Sequence, residues 1–269
     1  MILFNYMTST QNTSAYDARF SSILGGEEYD ELLLALDWYN EFEAKTGDAL
    51  KKYLETHLQD AIEIKVLEAG PGTGITTLEL IKADPRVKVV AVDNEPKMLN
   101  VVKERFATIE ELKNRVEFVL SDILAFLESC PDESFDVFSS VYTLHNFTPD
   151  FRNKVIELIS KKLKKGGLFI NGDKYAQDDE TAHNKDLDAE INSYDKFEDV
   201  ADEVSKTEGL ERAHHFHQVR SGWIDHMWED DKVKITVSEQ NEMFERLGFK
   251  DVEWGKRYDL VVTVSAIKI

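Results

Sequence analysis

The chain has 269 residues, 42% of them hydrophobic, which suits one large α/β domain or a domain with an insertion and excludes a disordered chain. Its 32 basic and 52 acidic residues give a net charge of −20 and a pI near 4.8, so no broad basic face is expected for a phosphate backbone. A single cysteine, Cys130, rules out an internal disulfide, and no apolar run reaches membrane-spanning length.

The opening MILFNYMTSTQ has neither a basic start nor a long apolar core, and the expected setting is a reducing cytoplasm. Residues 27–58 predict two helices, with Gly47 breaking EEYDELLLALDWYNEF from DALKKYLETHL. Short apolar strands then alternate with helices. IKVLEAG (64–70) is a strand and GITTLELIK a helix; VKVVAVD (87–93) is a strand, and EPKMLNVVKERFA is a helix with Pro96 in its first turn. RVEFVLSD (115–122) and SFDVFSSVYTL (134–144) are strands. TPDFRNKVIELISKKLKKGG is a helix with Thr148 as N-cap, Pro149 at its first position and Gly166 or Gly167 at its stop, and LFINGDK (168–174) is a strand.

The alternation breaks over 176–236, where Leu187, Ile191, Tyr194, Phe197, Ala201 and Val204 recur at helical spacing. Twelve acids against three lysines over 178–208 read as a solvated outer face, and LERAHHFHQVRSGWIDHMW predicts a second helix. SEQNEMFERLGF is a helix with Ser238 as N-cap and Gly248 past its end, and the last twenty residues predict an antiparallel hairpin. This rhythm means a doubly wound, mostly parallel sheet, with ligands at the carboxyl ends of its strands. Glu68, Asp93 and Asp122 all fall at such ends, as does a loop with Gly70, Gly72 and Gly74.

The glycines allow a sharp turn and a close approach to a ligand. A dinucleotide fingerprint would want its third glycine at 75, which is Ile75, and Glu68 beside the loop is ill placed for a pyrophosphate. A ligand with a cationic end fits better. Asp93 can accept both hydroxyls of a ribose, and Asp122 an adenine amino group.

Taken together, VLEAGPGTG, VVAVDNEPKML, VEFVLSDI and LKKGGLFINGDK, in this order and spacing, resemble the class I S-adenosylmethionine-dependent methyltransferases over residues 60–175 and the terminal helix and hairpin. The resemblance implies a seven-stranded Rossmann-like sheet with S-adenosyl-L-methionine as cofactor. It places Glu68, Gly70, Gly72 and Gly74 at the methionine part, Asp93 at the ribose, Met98 at one adenine face and Asp122 with Ile123 at the adenine edge. Asn94 and Tyr142 join the same pocket. Tyr16 resembles the N-terminal tyrosine that many small-molecule members fold over the cofactor. Two further stretches, YTLHNFTPDFRNKVIELISKKLKKGGLFINGDKYA and RLGFKDVEWGKRYDLVVTVSAIK, resemble the carboxy-S-adenosylmethionine synthases. That family needs an arginine in the insertion, and Arg220 stands at a comparable place, but LEAG departs from that family's glycine-loop wording.

The expected organisation is an N-terminal helical segment (1–60), a cofactor-binding domain (61–175 and 237–269) and a helical lid (176–236). The expected function is methyl transfer to a small-molecule acceptor, with neither a membrane nor nucleic acid as partner; a homodimer is compatible with it. His145, just past the fourth strand, is the candidate base, and a capping histidine is the equal alternative. His214, His217, Arg220 and Trp223 are candidate acceptor-binding residues in the lid. No metal is expected, because the histidines lack cysteine or HExxH company. The alternatives are a synthase that modifies the cofactor, and a non-catalytic partner protein of the same fold.

Overall fold

The computed structural model describes residues 36–109, 112, 114–195, 202, 206 and 234–269. Tyr16, His214, His217, Arg220 and Trp223 therefore lie outside the described residues, as do Phe197, Ala201, Val204 and the expected second helix of the insertion.

Helix α1 (Tyr39–His57) is continuous, not two helices broken at Gly47. A Cβ at Gly47 would lie 3.0 Å from the carbonyl oxygen of Glu79 on α2 (Ile75–Ala83). The glycine is bare so that two helix backbones can touch, and its neighbours supply enough buried contact to carry the helix through it. Phe42, Leu50 and Leu54 bury the inner face of α1, and the Tyr53 hydroxyl donates to the Gly166 carbonyl at 2.7 Å.

Seven strands form one sheet: β1 (Ile64–Ala69), β2 (Val87–Asp93), β3 (Val116–Leu120), β4 (Phe135–Val141), β5 (Leu163–Lys174), β6 (Phe249–Tyr258) and β7 (Val261–Lys268). Their order is β3-β2-β1-β4-β5-β7-β6. β1 to β5 run parallel, and β7 is antiparallel to both β5 and β6. All seven residues of β4 are buried, as a strand covered by helices on both faces requires. The chain leaves β1 toward β2 on one side and reaches β4 on the other. That reversal opens a crevice above the carboxyl ends of β1 and β4.

Helix α3 (Pro96–Ala107) begins at Pro96 as expected. Other boundaries differ from the sequence expectation for identifiable reasons. A short helix, α4 (Ile123–Ser129), follows β3 in a stretch to which the sequence reading assigned no element; its seven residues are too few for periodicity to register. Helix α5 (Pro149–Lys162) starts after Thr148 but stops before Gly166. The Lys162 ammonium is held by the Cys130 carbonyl and Asp132, at 2.7 Å each, and Leu163 already pairs with Phe135 in the sheet. Gly166, at φ +77°, instead serves a bulge that carries the register from Phe135↔Leu163 to Val137↔Leu168. Helix α7 (Val237–Arg246) is capped by Thr236 rather than Ser238. The Thr236 hydroxyl accepts the Glu239 N–H at 3.1 Å, and the Glu239 carboxylate accepts the Thr236 N–H at 2.8 Å.

Of the insertion, α6 (Glu180–Ser193) is described and is docked on the body. Leu187 and Tyr194 are buried, and Glu190 forms a buried ion pair with Lys174, at the end of β5, at 2.7 Å.

Candidate active site

β1 ends at Ala69, and the Gly70 N–H bonds the Val92 carbonyl at 2.9 Å, turning the chain over the sheet edge. The three loop glycines have different reasons to be bare. A Cβ at Gly70 would meet the Thr143 hydroxyl at 2.2 Å, and one at Gly74 would meet Val102 at 2.4 Å. Gly72, at φ +53°, has no atom of the described residues within 4 Å of where its Cβ would be. Packing accounts for the first two. The third presents bare backbone to open space.

Directly below, Glu68 is fully buried, and its Oε2 accepts the Thr77 hydroxyl at 2.6 Å. Among the described residues its Oε1 has no hydrogen-bond partner. Burial pushes the Glu68 carboxyl up to about 8; the Thr77 hydroxyl opposes this, and Glu43 and Asp93 reinforce it. Glu43, from α1, is itself buried and accepts the Thr76 hydroxyl at 2.6 Å. Asp93 closes β2, and its Oδ1 accepts the Glu95 N–H at 2.9 Å. Burial raises its carboxyl to about 6 against the N–H groups of Glu95, Gly72 and Asn94. Asn94 is exposed, Met98 and Ile123 are buried, and Asp122 is spent in part on capping α4 through the Ala125 N–H at 3.0 Å. Tyr142, just past β4, is a bulky residue at φ +50°, packed against Tyr39 and Phe42 of α1 at 6.0 and 5.6 Å between ring centroids.

A 3₁₀ turn, Leu144–Asn146, carries His145. His145 is buried, with Nδ1 2.5 Å from Oδ1 of Asp173 near the end of β5. A carboxylate there fixes the proton on Nδ1 and leaves Nε2 as an acceptor. The Tyr142 ring lies 6.0 Å from the imidazole. Behind the pair, Asn171 donates to the Tyr175 hydroxyl at 2.7 Å, and burial lowers the basicity of Arg152 although Asp173 faces it. His145 thus belongs to a buried polar network and is not an exposed loop histidine.

Glu68, Asp93 and the glycine loop lie at the carboxyl ends of β1 and β2, and Tyr142 and His145 follow the end of β4; Met98 is on α3, and Asp122 and Ile123 open α4. Sequence reasoning missed Glu43, Thr77 and Asp173. Asp173 had a signal, being one more acid at the end of a parallel strand. Glu43 had a weaker one: it shares the helical stripe of Tyr39, Thr46 and Leu50, where an acid is out of place. Cys130 is a half-buried thiol raised by burial, as expected of a structural cysteine. Among the described residues no three His, Cys, Asp or Glu side chains gather as a metal site.

Residues 66–167 match the family model of a methyltransferase domain. The carboxy-S-adenosyl-L-methionine synthase of Nautilia profundicola is 25% identical over 251 residues, which cover 89% of this chain and 90% of that protein. Among solved structures, the CurJ carbon methyltransferase superposes with a TM-score of 0.60 at 14% identity, covering 90% of this chain and 58% of that one. Magnesium protoporphyrin IX methyltransferase (ChlM) from Synechocystis PCC 6803, solved with bound S-adenosylmethionine, gives a TM-score of 0.51 at 12% identity, covering 85% and 80%. These structural likenesses are of fold.

Proposed function

We propose that this chain, a class I S-adenosylmethionine-dependent methyltransferase in its domain and its fold, moves a methyl group from S-adenosyl-L-methionine to a small-molecule acceptor. The observation that carries the cofactor reading is Glu68 Oε1, a buried carboxylate oxygen without a partner below a loop whose central glycine meets open space. An orphaned buried acceptor is costly, and a cationic amine relieves it. The residues present fit the cofactor.

In this reading Glu68 and the bare Gly72 backbone hold the methionine end, with Gly70 and Gly74 shaping the loop. Asp93 accepts the ribose hydroxyls beside Asn94. Met98 covers one adenine face, and Ile123 and the Asp122 oxygen not spent on the helix cap meet its edge. Tyr142, and Tyr16 from outside the described residues, close the pocket. Bound there, the cofactor supplies an electrophilic methyl group on a sulfonium centre. The chain's own contribution is alignment of the acceptor with that methyl and exclusion of water. His145 takes the acceptor's proton on Nε2, and Asp173 holds the imidazole in the tautomer that can do so. His214, His217, Arg220 and Trp223 are assigned to the acceptor side.

The same reading divides the chain into an N-terminal segment (1–60), a cofactor domain (61–175 and 237–269) and an acceptor-covering insertion (176–236). It also keeps a freely diffusing acceptor in the cytoplasm; among the described residues no helix is long and apolar enough to cross a membrane.

A second reading is a carboxy-S-adenosylmethionine synthase, favoured by a likeness that runs over 90% of that relative's length. Arg220 would then pair with the added carboxylate. A non-catalytic partner protein is disfavoured, because the glycine loop and Asp93 are both kept. Mass spectrometry of the nucleoside released from denatured protein separates the two enzyme readings: a carboxylated species supports the synthase. Methylation of a metabolite pool with labelled cofactor tests the first reading. Absence of binding to millimolar S-adenosylmethionine, measured by calorimetry, would overturn both.

A further inference from the structure

Behind the His145–Asp173 pair lies a small cavity between the end of β5, α5 and α7. Its wall includes His145, Arg152, Asn171, Asp173, Tyr175 and Gln240. The room open to the centre of a water is about 10 Å³, close to the least that one water needs. Asn171, on β5, and Gln240, on α7, are each 1% exposed. Among the described residues, Asn171 Oδ1 and Gln240 Nε2 have no hydrogen-bond partner. The rest of the Asn171 amide is committed: its Nδ2 donates to the Tyr175 hydroxyl at 2.7 Å and reaches Oδ2 of Asp173 at 3.4 Å. The Asp173 carboxylate sets that orientation, because a turned amide would bring oxygen against oxygen. Oδ1 is thereby left as an acceptor, and Gln240 offers a donor on the same cavity.

We infer that this cavity holds one buried water, which accepts from Gln240 and donates to Asn171, and that Gln240 acts through it as a positioning residue for the Asp173–His145 pair. A buried donor and a buried acceptor left unmade are costly, and a single water serves both because it can accept and donate at once. The chain of contacts then runs from Gln240 through the water and Asn171 to Asp173 and His145. Oδ1 of Asp173 takes the imidazole Nδ1–H and its Oδ2 takes the His145 backbone N–H, so whatever steadies this carboxylate steadies both the ring and its turn. Helix α7, which makes no direct hydrogen bond to His145 among the described residues, bears on the imidazole by this route. The catalytic meaning of the pair rests on the reading of His145 as base; the water and the positioning rest on the cavity and its two amides.

Water itself is the probe. A crystal structure of the full chain, at a resolution that orders solvent, should show one water within hydrogen-bond distance of both Asn171 Oδ1 and Gln240 Nε2. A dry cavity, or the two amides bonded directly to each other, overturns the inference. Gln240→Met keeps the length of the side chain and loses the donor, and its structure should lack that water with the fold unchanged. Labelling the full chain with nitrogen-15 histidine gives the second readout. The Nδ1–H resonance of His145, assigned by its loss in His145→Gln, should be sharp in the parent and broadened or lost in Gln240→Met. Gln240→Leu repeats both readouts with an apolar side chain of different shape. A merely structural Gln240 would leave that resonance in place, so an unchanged signal in both variants, with the water gone, overturns the positioning role. Neither readout needs turnover or cofactor. An intact kcat in His145→Gln would overturn the base reading alone and leave this test standing.

Discussion

Nδ1 of His145 lies 2.5 Å from Oδ1 of Asp173, and the backbone N–H of His145 reaches Oδ2 of the same carboxylate at 3.1 Å. One side chain at the end of β5 therefore fixes both the ring and the turn that carries it. If His145 is the base, His145→Gln should lower kcat by about 10²–10⁴. Asp173→Asn should lower kcat by about 10², because an amide can present the wrong group to Nδ1. Calorimetry should find cofactor affinity nearly unchanged in both. An intact kcat in both variants would make the pair a structural clasp.

Asp93→Ala should weaken S-adenosylmethionine binding well over tenfold while the far-ultraviolet spectrum stays the same. Each hydrogen bond from a carboxylate to the cofactor's diol contributes about 1.5–3 kcal/mol. An unchanged dissociation constant would show that the crevice above β2 does not hold the ribose.

Glu68 places function and stability in opposition. Its carboxyl stands at about 8 in the folded protein against an ordinary 4.5. A carboxyl raised on folding contributes stability that is complete below the unfolded value and is lost as pH rises through the folded one. Glu68→Gln removes that loss while keeping an acceptor for Thr77. At pH 8 the cofactor-free variant should be about 1–3 kcal/mol more stable than the parent, by denaturant titration, with the advantage shrinking toward pH 5. The same variant should bind cofactor poorly. Equal stability of the two proteins at pH 8 would refute the buried, proton-seeking carboxyl.

Gly72 and Gly74 should respond differently to the same methyl group. Gly74→Ala drives a Cβ into Val102 at 2.4 Å in a left-handed backbone, and should cost about 1–3 kcal/mol of stability. Gly72→Ala meets no neighbour, so about 1–2 kcal/mol of backbone strain is its whole cost in the free protein. Its effect on binding should be the larger, more than tenfold, because the added methyl occupies the space offered to the ligand. Thermal melts and S-adenosylhomocysteine titrations of the two variants should rank them in opposite orders.

The alternation of strands and helices was legible because it is local: each apolar run and each cap lies within a dozen residues of its own signal. The strand-end acids Glu68, Asp93 and Asp122 were found for the same reason. What stayed hidden depends on distant partners. Gly47 looks like a breaker until Glu79 is brought against it, and Lys162 looks mid-helix until Cys130 and Asp132 take its ammonium. Asp122 was read only as a ligand contact, although its position also makes it the N-cap of α4. The partners of His145 and Thr76 lie 28 and 33 residues away along the chain, where neither periodicity nor spacing reaches.

The Lys174–Glu190 ion pair bears on how this chain tolerates changes in length. Helix α6 is fastened to the end of β5 by an ion pair whose two side chains are both buried. A shortened protein joined upstream of Glu190 would remove that buried carboxylate from Lys174 and with it the fastening of α6 to β5, so stability should fall before any question of turnover arises. One joined downstream of Asp195 would keep the pair. Homologues that trim or enlarge the insertion are thus expected to vary beyond that residue, with α6 inherited as part of the body.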